Sequence, residues 1–280
     1  MTYVELLDTL WLCAASRKGW RQTASTIKVF WSMIGRAKRG DTSGYRFAGY
    51  EFSCINPRDL SFLYSEIFLS EPYRFDSKKP NPLIIDGGVN IGMSVAYFKS
   101  IFPDSRIVGF EPHPQAYAVA KDNIERNRFD NVTLVNAALS GASGTIKLHY
   151  ISNEIMASTV GGRLHARGLT PDSVEIPAVT LSKYLVEDAD FLKLDIEGAE
   201  YAVLAEVGDR LRLVRNMFVE FHLTRGDGNN KLPEMLRLLE DAGFNYLITS
   251  TAFSRKTASV APLGEVGPVS SLLVLARRVD

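Results

Sequence analysis

The run Phe191-Leu192-Lys193-Leu194-Asp195-Ile196-Glu197-Gly198-Ala199-Glu200 sets charges into an apolar background. At the two-residue period of an extended chain, Lys193, Asp195 and Glu197 share one face. Further along, Phe218-Val219-Glu220-Phe221-His222 puts Glu220 and His222 on one face as well. Charges in a buried strand are costly unless they are paired. If the two strands are neighbours, all five ionisable groups converge. Such a group can move a proton: a neutral imidazole with a pKa of about 6.5, or a carboxylate, takes it from a nucleophile, and a second carboxylate steadies the imidazolium. On this reading His222 or Asp195 is the base and Glu220 orients His222. An ion-pair network that only ties two strands together has the same composition. Lys193 and Glu220 suit that role better than Asp195 and His222, which lie nearest the strand ends. Asp195, Glu220 and His222 are also ligand types for a divalent cation. Such trios are common without one, and no metal is expected.

A second set of groups lies upstream. Leu83-Ile84-Ile85 runs into Asp86-Gly87-Gly88-Val89-Asn90-Ile91-Gly92. A glycine turn between a strand and a helix lets a ligand approach the backbone, and the helix start offers unpaired N–H groups. The dinucleotide fingerprint G-x-G-x-x-G fails here. Counted from Gly88, its second and third positions are Asn90 and Met93, which disfavours a nicotinamide-dependent oxidoreductase. What remains is acidic-x-Gly-x-x-x-Gly, the turn typical of S-adenosylmethionine enzymes. Glu111 follows Asp86 by 25 residues. That is close to the roughly 20 at which an acidic side chain takes ribose hydroxyls in nucleoside-binding sheets. A carboxylate can accept two hydrogen bonds from a cis-diol. Asn136 ends the next apolar run and could read an adenine edge. Each of these has an ordinary explanation alone: a ligand-free turn, a solvated charge, a turn asparagine. At three consecutive strand ends they read together as a nucleoside site.

The elements that must position these groups alternate. Apolar runs at 83–85, 106–110, 132–135, 191–194 and 217–221 are interleaved with helical stretches at 94–101, 115–128 and 232–242, the last closed by Gly243. Residues 144–150 and 174–179 alternate like further strands, as do the late runs 246–249 and 271–276. Strands alternating with helices predict βαβ units and a mostly parallel sheet, with helices on both faces and ligands beyond the carboxyl ends of the strands. Tyr45 to Ile55 reads as two short strands hinged at Gly49, and Asp59 to Ser70 as a helix.

The motifs 84–92, Gly109-Phe110-Glu111-Pro112, Asn131-Val132-Thr133-Leu134, 191–200 and Glu220-Phe221-His222, in this order, resemble the FkbM-like S-adenosylmethionine-dependent methyltransferases. The resemblance runs over residues 60–250. It implies an α/β, class I methyltransferase (Rossmann-like) fold: a seven-stranded sheet, parallel except for a late strand at Ser271 to Ala276. It implies S-adenosyl-L-methionine held by Asp86, Gly88, Asn90, Gly92, Glu111 and Asn136. It further implies O-methylation, in a family acting on sugars, glycans and polyketides, so the acceptor itself does not carry over. N-methylation, or binding of the donor without catalysis, are the competing readings.

The rest of the chain bounds the answer. Of 280 residues, 46% are hydrophobic and 23% charged, which excludes a disordered chain. Thirty-two Lys and Arg balance 32 Asp and Glu, so no nucleic-acid partner is expected. Cys13 and Cys54 form no metal-ligand motif. They fit a reducing compartment, and a cytoplasmic enzyme is expected. Residues 1–44 are set apart as an N-terminal helical extension and 45–280 as the methyltransferase domain. Residues 1–40 hold seven basic residues against Glu5 and Asp8, a net charge of +5, and Ile27, Phe30, Trp31 and Ile34 recur at helical spacing. That pattern permits weak peripheral membrane contact or packing in a homo-oligomer. The insert 151–173 carries Arg163, His165 and Arg167 and reads as a surface loop or a substrate lid.

Overall fold

A computed structural model describes residues 20–151, 154–159, 172–223, 231–250 and 271–279. Arg163, His165, Arg167 and residues 1–19 lie outside the described residues.

The described residues begin with helix α1 (Trp20–Lys38), the hairpin β1 (Tyr45–Phe47) and β2 (Tyr50–Phe52), helix α2 (Pro57–Tyr64) and a π-helical turn at Ser65–Leu69. The hairpin turns at Ala48 and Gly49, both with positive φ (51° and 85°), the backbone of a tight two-residue turn. Asn56 caps α2, its Oδ1 accepting from the Arg58 N–H, and Pro57 takes the first turn, where a missing N–H costs nothing.

A doubly wound unit follows: β3 (Leu83–Gly87), α3 (Met93–Ile101), β4 (Arg106–Phe110), α4 (Pro114–Arg126), β5 (Val132–Val135), β6 (Ala138–Leu139), β7 (Gly144–Ile151), β8 (Glu154–Thr159), β9 (Asp172–Val179), β10 (Ala189–Leu194), α5 (Glu200–Val207), β11 (Val214–His222), α6 (Leu232–Asp241), β12 (Phe244–Ser250) and β13 (Ser271–Arg278). Seven strands form one sheet in the order β12-β13-β11-β10-β3-β4-β5. Strand β13 alone in that sheet runs antiparallel to both neighbours, as expected for the late strand. The central strands read as apolar runs because both faces are covered. One face packs with α3, α4 and the N-terminal elements around Tyr73, Phe98 and Phe218, and the other with α5 and α6 around Leu192, Leu204 and Leu239.

The alternating runs 144–150 and 174–179 are strands, but they leave this sheet. They pair antiparallel as β7 and β9 in a separate four-stranded sheet, β6-β9-β7-β8.

The N-terminal elements are built into the same core. Met33 of α1 is buried in one cluster with Tyr45, Phe52, Leu60 and Phe98. Two side-chain amides, Asn123 of α4 and its C-cap Asn127, clasp the hairpin: Asn123 Oδ1 accepts from the Ser53 N–H at 2.8 Å, and Asn127 Oδ1 from the Glu51 N–H at 2.8 Å. Their Nδ2 groups donate to the carbonyls of Ser53 at 3.0 Å and Glu51 at 2.8 Å. Asn123 Nδ2 also donates to the Ile91 carbonyl at 2.8 Å, inside the glycine turn.

Candidate active site

The carboxyl ends of β3, β4 and β5 lie side by side and bring the nucleoside-type residues together. Gly88 leaves β3 at φ +90°, and a Cβ there would sit 2.1 Å from the Asp195 carbonyl oxygen. Only glycine can make that approach, because a backbone atom stands opposite. The Gly88 and Val89 N–H groups both donate to the Phe110 carbonyl, at 3.0 Å, which fixes the turn to the end of β4. Asn90 is left-handed (φ 54°), and Gly92 opens α3 at φ +90°.

Glu111, just past β4, accepts from the Asn90 N–H at 2.7 Å and the His113 N–H at 2.9 Å. Burial pushes its carboxyl up to about 7, against the pull of those two N–H groups and of Lys193. Asn136 closes the row, its Nδ2 donating to the carbonyls of Glu111 and Pro112 at 2.8 and 3.3 Å. Its amide nitrogen therefore holds the Glu111 backbone.

Asp86 and Lys193 join this row to the second. Asp86 is 0% exposed. Its Oδ2 accepts from Ser94 Oγ at 2.5 Å, while Oδ1 has no hydrogen bond among the described residues and lies 3.4 Å from Lys193 Nζ. Lys193 Nζ donates to the carbonyls of Gly88 at 2.9 Å and Gly87 at 3.2 Å, and is 3.6 Å from Asp195 Oδ2. Burial alone would strip its proton, but Asp86 and Asp195 outweigh it and hold the ammonium charged. The Tyr73 ring lies 5.7 Å from Nζ.

The second row stands at the ends of β10 and β11, which pair in parallel. Strand β10 stops at Leu194, and the turn behind it passes through Glu197 at φ 57°. That turn re-aims the chain: Glu200, 1% exposed at the start of α5, folds back to accept from the Gly198 N–H at 2.9 Å. The same Oε1 lies 2.9 Å from His222 Nδ1.

The carboxylate that orients His222 is therefore Glu200. Glu220, expected in that role, accepts from Ser271 Oγ at 2.7 Å and stands 3.7 Å from His222 Nε2. Glu197 is also 3.7 Å from Nε2. Burial lowers the His222 pKa, but Glu200, Glu197 and Asp195 outweigh it and push it up to about 9. These carboxylates favour the imidazolium over the neutral ring. Burial, with Asp195 beside it, raises Glu220.

Glu66 and Tyr73 also belong to this neighbourhood, and sequence reasoning missed both. Glu66 sits on the π-helical turn, in the field of Asp195, Glu220 and Lys193, and burial with those carboxylates pushes it up to about 8. The Tyr73 ring packs edge-on to Phe218, 4.7 Å between centroids. An acidic residue amid buried Leu63, Tyr64, Ile67 and Phe68 was the one available signal for Glu66.

By type and distance Asp195, Glu220 and His222 could hold a divalent cation, since a ligand atom from each lies within 4.8 Å of the others.

These raised values have a sign. Glu111, Glu66 and His222 each bind a proton more tightly folded than unfolded, so each adds stability below its unfolded value and loses it as pH rises through about 7, 8 and 9. His113, lowered by burial, opposes this only below its ordinary 6.5. The Tm of the ligand-free protein is expected to fall steadily from pH 6.5 to pH 9. A flat or rising Tm across that window in scanning fluorimetry would contradict the assigned shifts.

A mostly parallel seven-stranded sheet with one antiparallel strand, a glycine turn and acidic strand ends define a class I methyltransferase. Residues 86–246 match the model of the methyltransferase FkbM domain, and the chain belongs to that family. It is 31% identical over 225 residues to methyltransferase sdnD of Sordaria araneosa, covering 69% of this chain and 85% of that protein. It is 26% identical over 225 residues to the 31-O-demethyl-FK506 methyltransferase FkbM of Streptomyces tacrolimicus, with the same coverage. To the 2-O-methyltransferase NoeI of Sinorhizobium fredii it is 27% identical over 159 residues, 51% of this chain and 65% of that one.

Proposed function

We propose that this methyltransferase uses S-adenosyl-L-methionine to methylate a hydroxyl oxygen of a sugar, glycan or other small polar acceptor, and that Asp195 receives the acceptor's proton. The observation that carries the reading is the place of Asp195. Its carbonyl is packed against the donor turn at Gly88, and its carboxylate faces the second row of charges. The names of two relatives, a 2-O-methyltransferase and a 31-O-demethyl-FK506 methyltransferase, support oxygen as the site of transfer.

The residues present fit the donor. Gly88 and Gly92 clear the backbone, Asp86 Oδ1 is buried without a hydrogen bond among the described residues, and Glu111 has further lone pairs for a ribose diol. S-adenosyl-L-methionine, when bound, supplies an electrophilic methyl on a sulfonium. Asp86, Gly88, Asn90, Gly92, Glu111 and Asn136 form the binding side. Asp195 accepts a hydrogen bond from the acceptor hydroxyl and so fixes its line of attack. It takes the proton as the oxygen–methyl bond forms, when the hydroxyl becomes strongly acidic, so a carboxylate suffices. His222, held by Glu200, carries positive charge that faces Glu197 and Glu220 and keeps them from repelling one another apart.

Incubation with the donor and a panel of hydroxylated acceptors tests this reading, with S-adenosylhomocysteine as the product measured. Products methylated on nitrogen, or none with any acceptor despite donor binding, would replace it.

Glu111→Ala should weaken donor binding by more than about 1 kcal/mol, since a hydrogen bond to a charged group contributes roughly 1.5–3; equal affinity for mutant and wild type in calorimetry would remove Glu111 from the donor site. With Asp195 as base, kcat should show no tenfold-per-unit rise between pH 7 and 9. Such a rise, levelling at about the His222 value, would transfer the base role to His222.

A further inference from the structure

We infer that His113 reads the nucleoside of the methyl donor: its Nε2–H gives a hydrogen bond to N3, the adenine ring nitrogen next to the ribose. This rests on the donor reading above.

The position of His113 is fixed by bonds already at the site. Its backbone N–H donates to Glu111 Oε1 at 2.9 Å, so it stands beside the carboxylate assigned to the ribose diol. Its ring caps α4, Nδ1 accepting from the Ala116 N–H at 3.3 Å. The Tyr150 ring, on β7, meets it edge to face, 4.8 Å between centroids. The imidazole is thus held from the helix and from the four-stranded sheet, and the residue is 5% exposed.

The cap decides the tautomer. A ring nitrogen that accepts a hydrogen bond carries no proton, and burial lowers the pKa of this ring below the ordinary 6.5, which keeps it neutral. The one ring proton is therefore on Nε2. Nε2 has no hydrogen-bond partner among the described residues. A buried N–H without a partner is costly, so an acceptor on the ligand completes it.

Adenine supplies that acceptor. Its ring nitrogens carry lone pairs and need an N–H. The groups around Glu111 have theirs committed. Pro112 has no N–H, the Asn90 N–H is bound to Glu111, and those of Gly88 and Val89 to the Phe110 carbonyl. Asn136 Nδ2 is bound to the carbonyls of Glu111 and Pro112, which leaves Oδ1 to accept from the exocyclic amine. Of these groups His113 alone keeps a proton to offer. N3 is the ring nitrogen closest to the ribose, and His113 is bonded to the carboxylate that takes the ribose.

Calorimetry with S-adenosylhomocysteine and its 3-deaza analogue, in which N3 is replaced by C–H, tests this in wild type and His113→Ser. Serine retains an oxygen to cap α4 but does not reach as far as Nε2. Wild type should bind the 3-deaza analogue about fivefold or more weaker than the parent, because Nε2–H is then left without a partner. The variant should bind the parent about fivefold or more weaker than wild type does, and the two ligands within about twofold of each other. Equal affinity of wild type for both ligands overturns the inference and leaves the donor reading intact; that comparison needs no variant to fold. A variant that still discriminates fivefold between them assigns His113 a purely capping role and overturns it too. If wild type binds neither ligand, the donor reading itself fails and takes the inference with it.

Discussion

Asp195→Asn is expected to lower kcat by at least about 10²-fold, the lower end of what a positioned base contributes, while donor affinity stays within a few-fold. The amide keeps the shape and can still accept a hydrogen bond, so the acceptor remains in place. It cannot take a proton from the attacking hydroxyl. The Asp195 backbone is unaffected, and it is the backbone that meets the donor turn: its N–H donates to the Gly87 carbonyl at 3.1 Å and its carbonyl faces Gly88. The measurement is a pair: single-turnover rate on the true acceptor, and Kd for the donor by calorimetry. A variant with near-full turnover would make Asp195 a strand-tying residue. A variant that loses donor binding instead would move its side chain to the other half of the site.

Lys193→Met is expected to cost about 3–5 kcal/mol of stability, the range for removing one partner of a buried ion pair. For a chain of this size that is a fall in Tm on the order of 10 °C. Lys193 is 2% exposed and Asp86 0%, and Met fills similar volume, so the effect isolates charge rather than packing. Without the ammonium, Asp86 is left buried with only Ser94 as a hydrogen-bond partner, and the carbonyls of Gly87 and Gly88 lose their donor. Asp86→Asn in the same background should recover much of the loss, because it removes the stranded charge. Urea unfolding showing less than about 1 kcal/mol for Lys193→Met would mean that water enters freely enough to replace the lysine.

Most of this arrangement is legible in the sequence, and for a physical reason. A strand buried on both faces has no use for a charge, so Asp86, Glu111, Asp195, Glu220 and His222 stand out against Ile, Leu, Val and Phe. Period two correctly places Glu220 and His222 on one face of β11. It fails one residue past β10, since the strand stops at Leu194 and Glu197 turns left-handed, which swings Glu200 onto His222. No repeat in the sequence encodes that return. The four-stranded sheet was illegible for a different reason. Alternation shows that β7 and β9 are strands but says nothing of their partners, because pairing is non-local. Glu66 hid in a stretch read as one regular helix, of which Ser65–Leu69 is a π-helical turn.

The two amides that clasp the hairpin bear on self-association. One edge of β2 pairs with β1, and the other would present bare backbone groups to any passing strand. Glu51 and Ser53 are two residues apart on an extended chain, a rise of roughly 6.6 Å. Asn123 and Asn127 are four apart along the last turn of α4 and its C-cap, a rise of roughly 6.0 Å. The near match lets a helix imitate the missing neighbour strand, giving and receiving one hydrogen bond at each step. The hairpin thus has no free edge at these positions, and no second molecule can extend it there. Replacing both asparagines with leucine would keep the helix and the bulk but reopen that edge, turning a closed hairpin into a template for strand-to-strand aggregation.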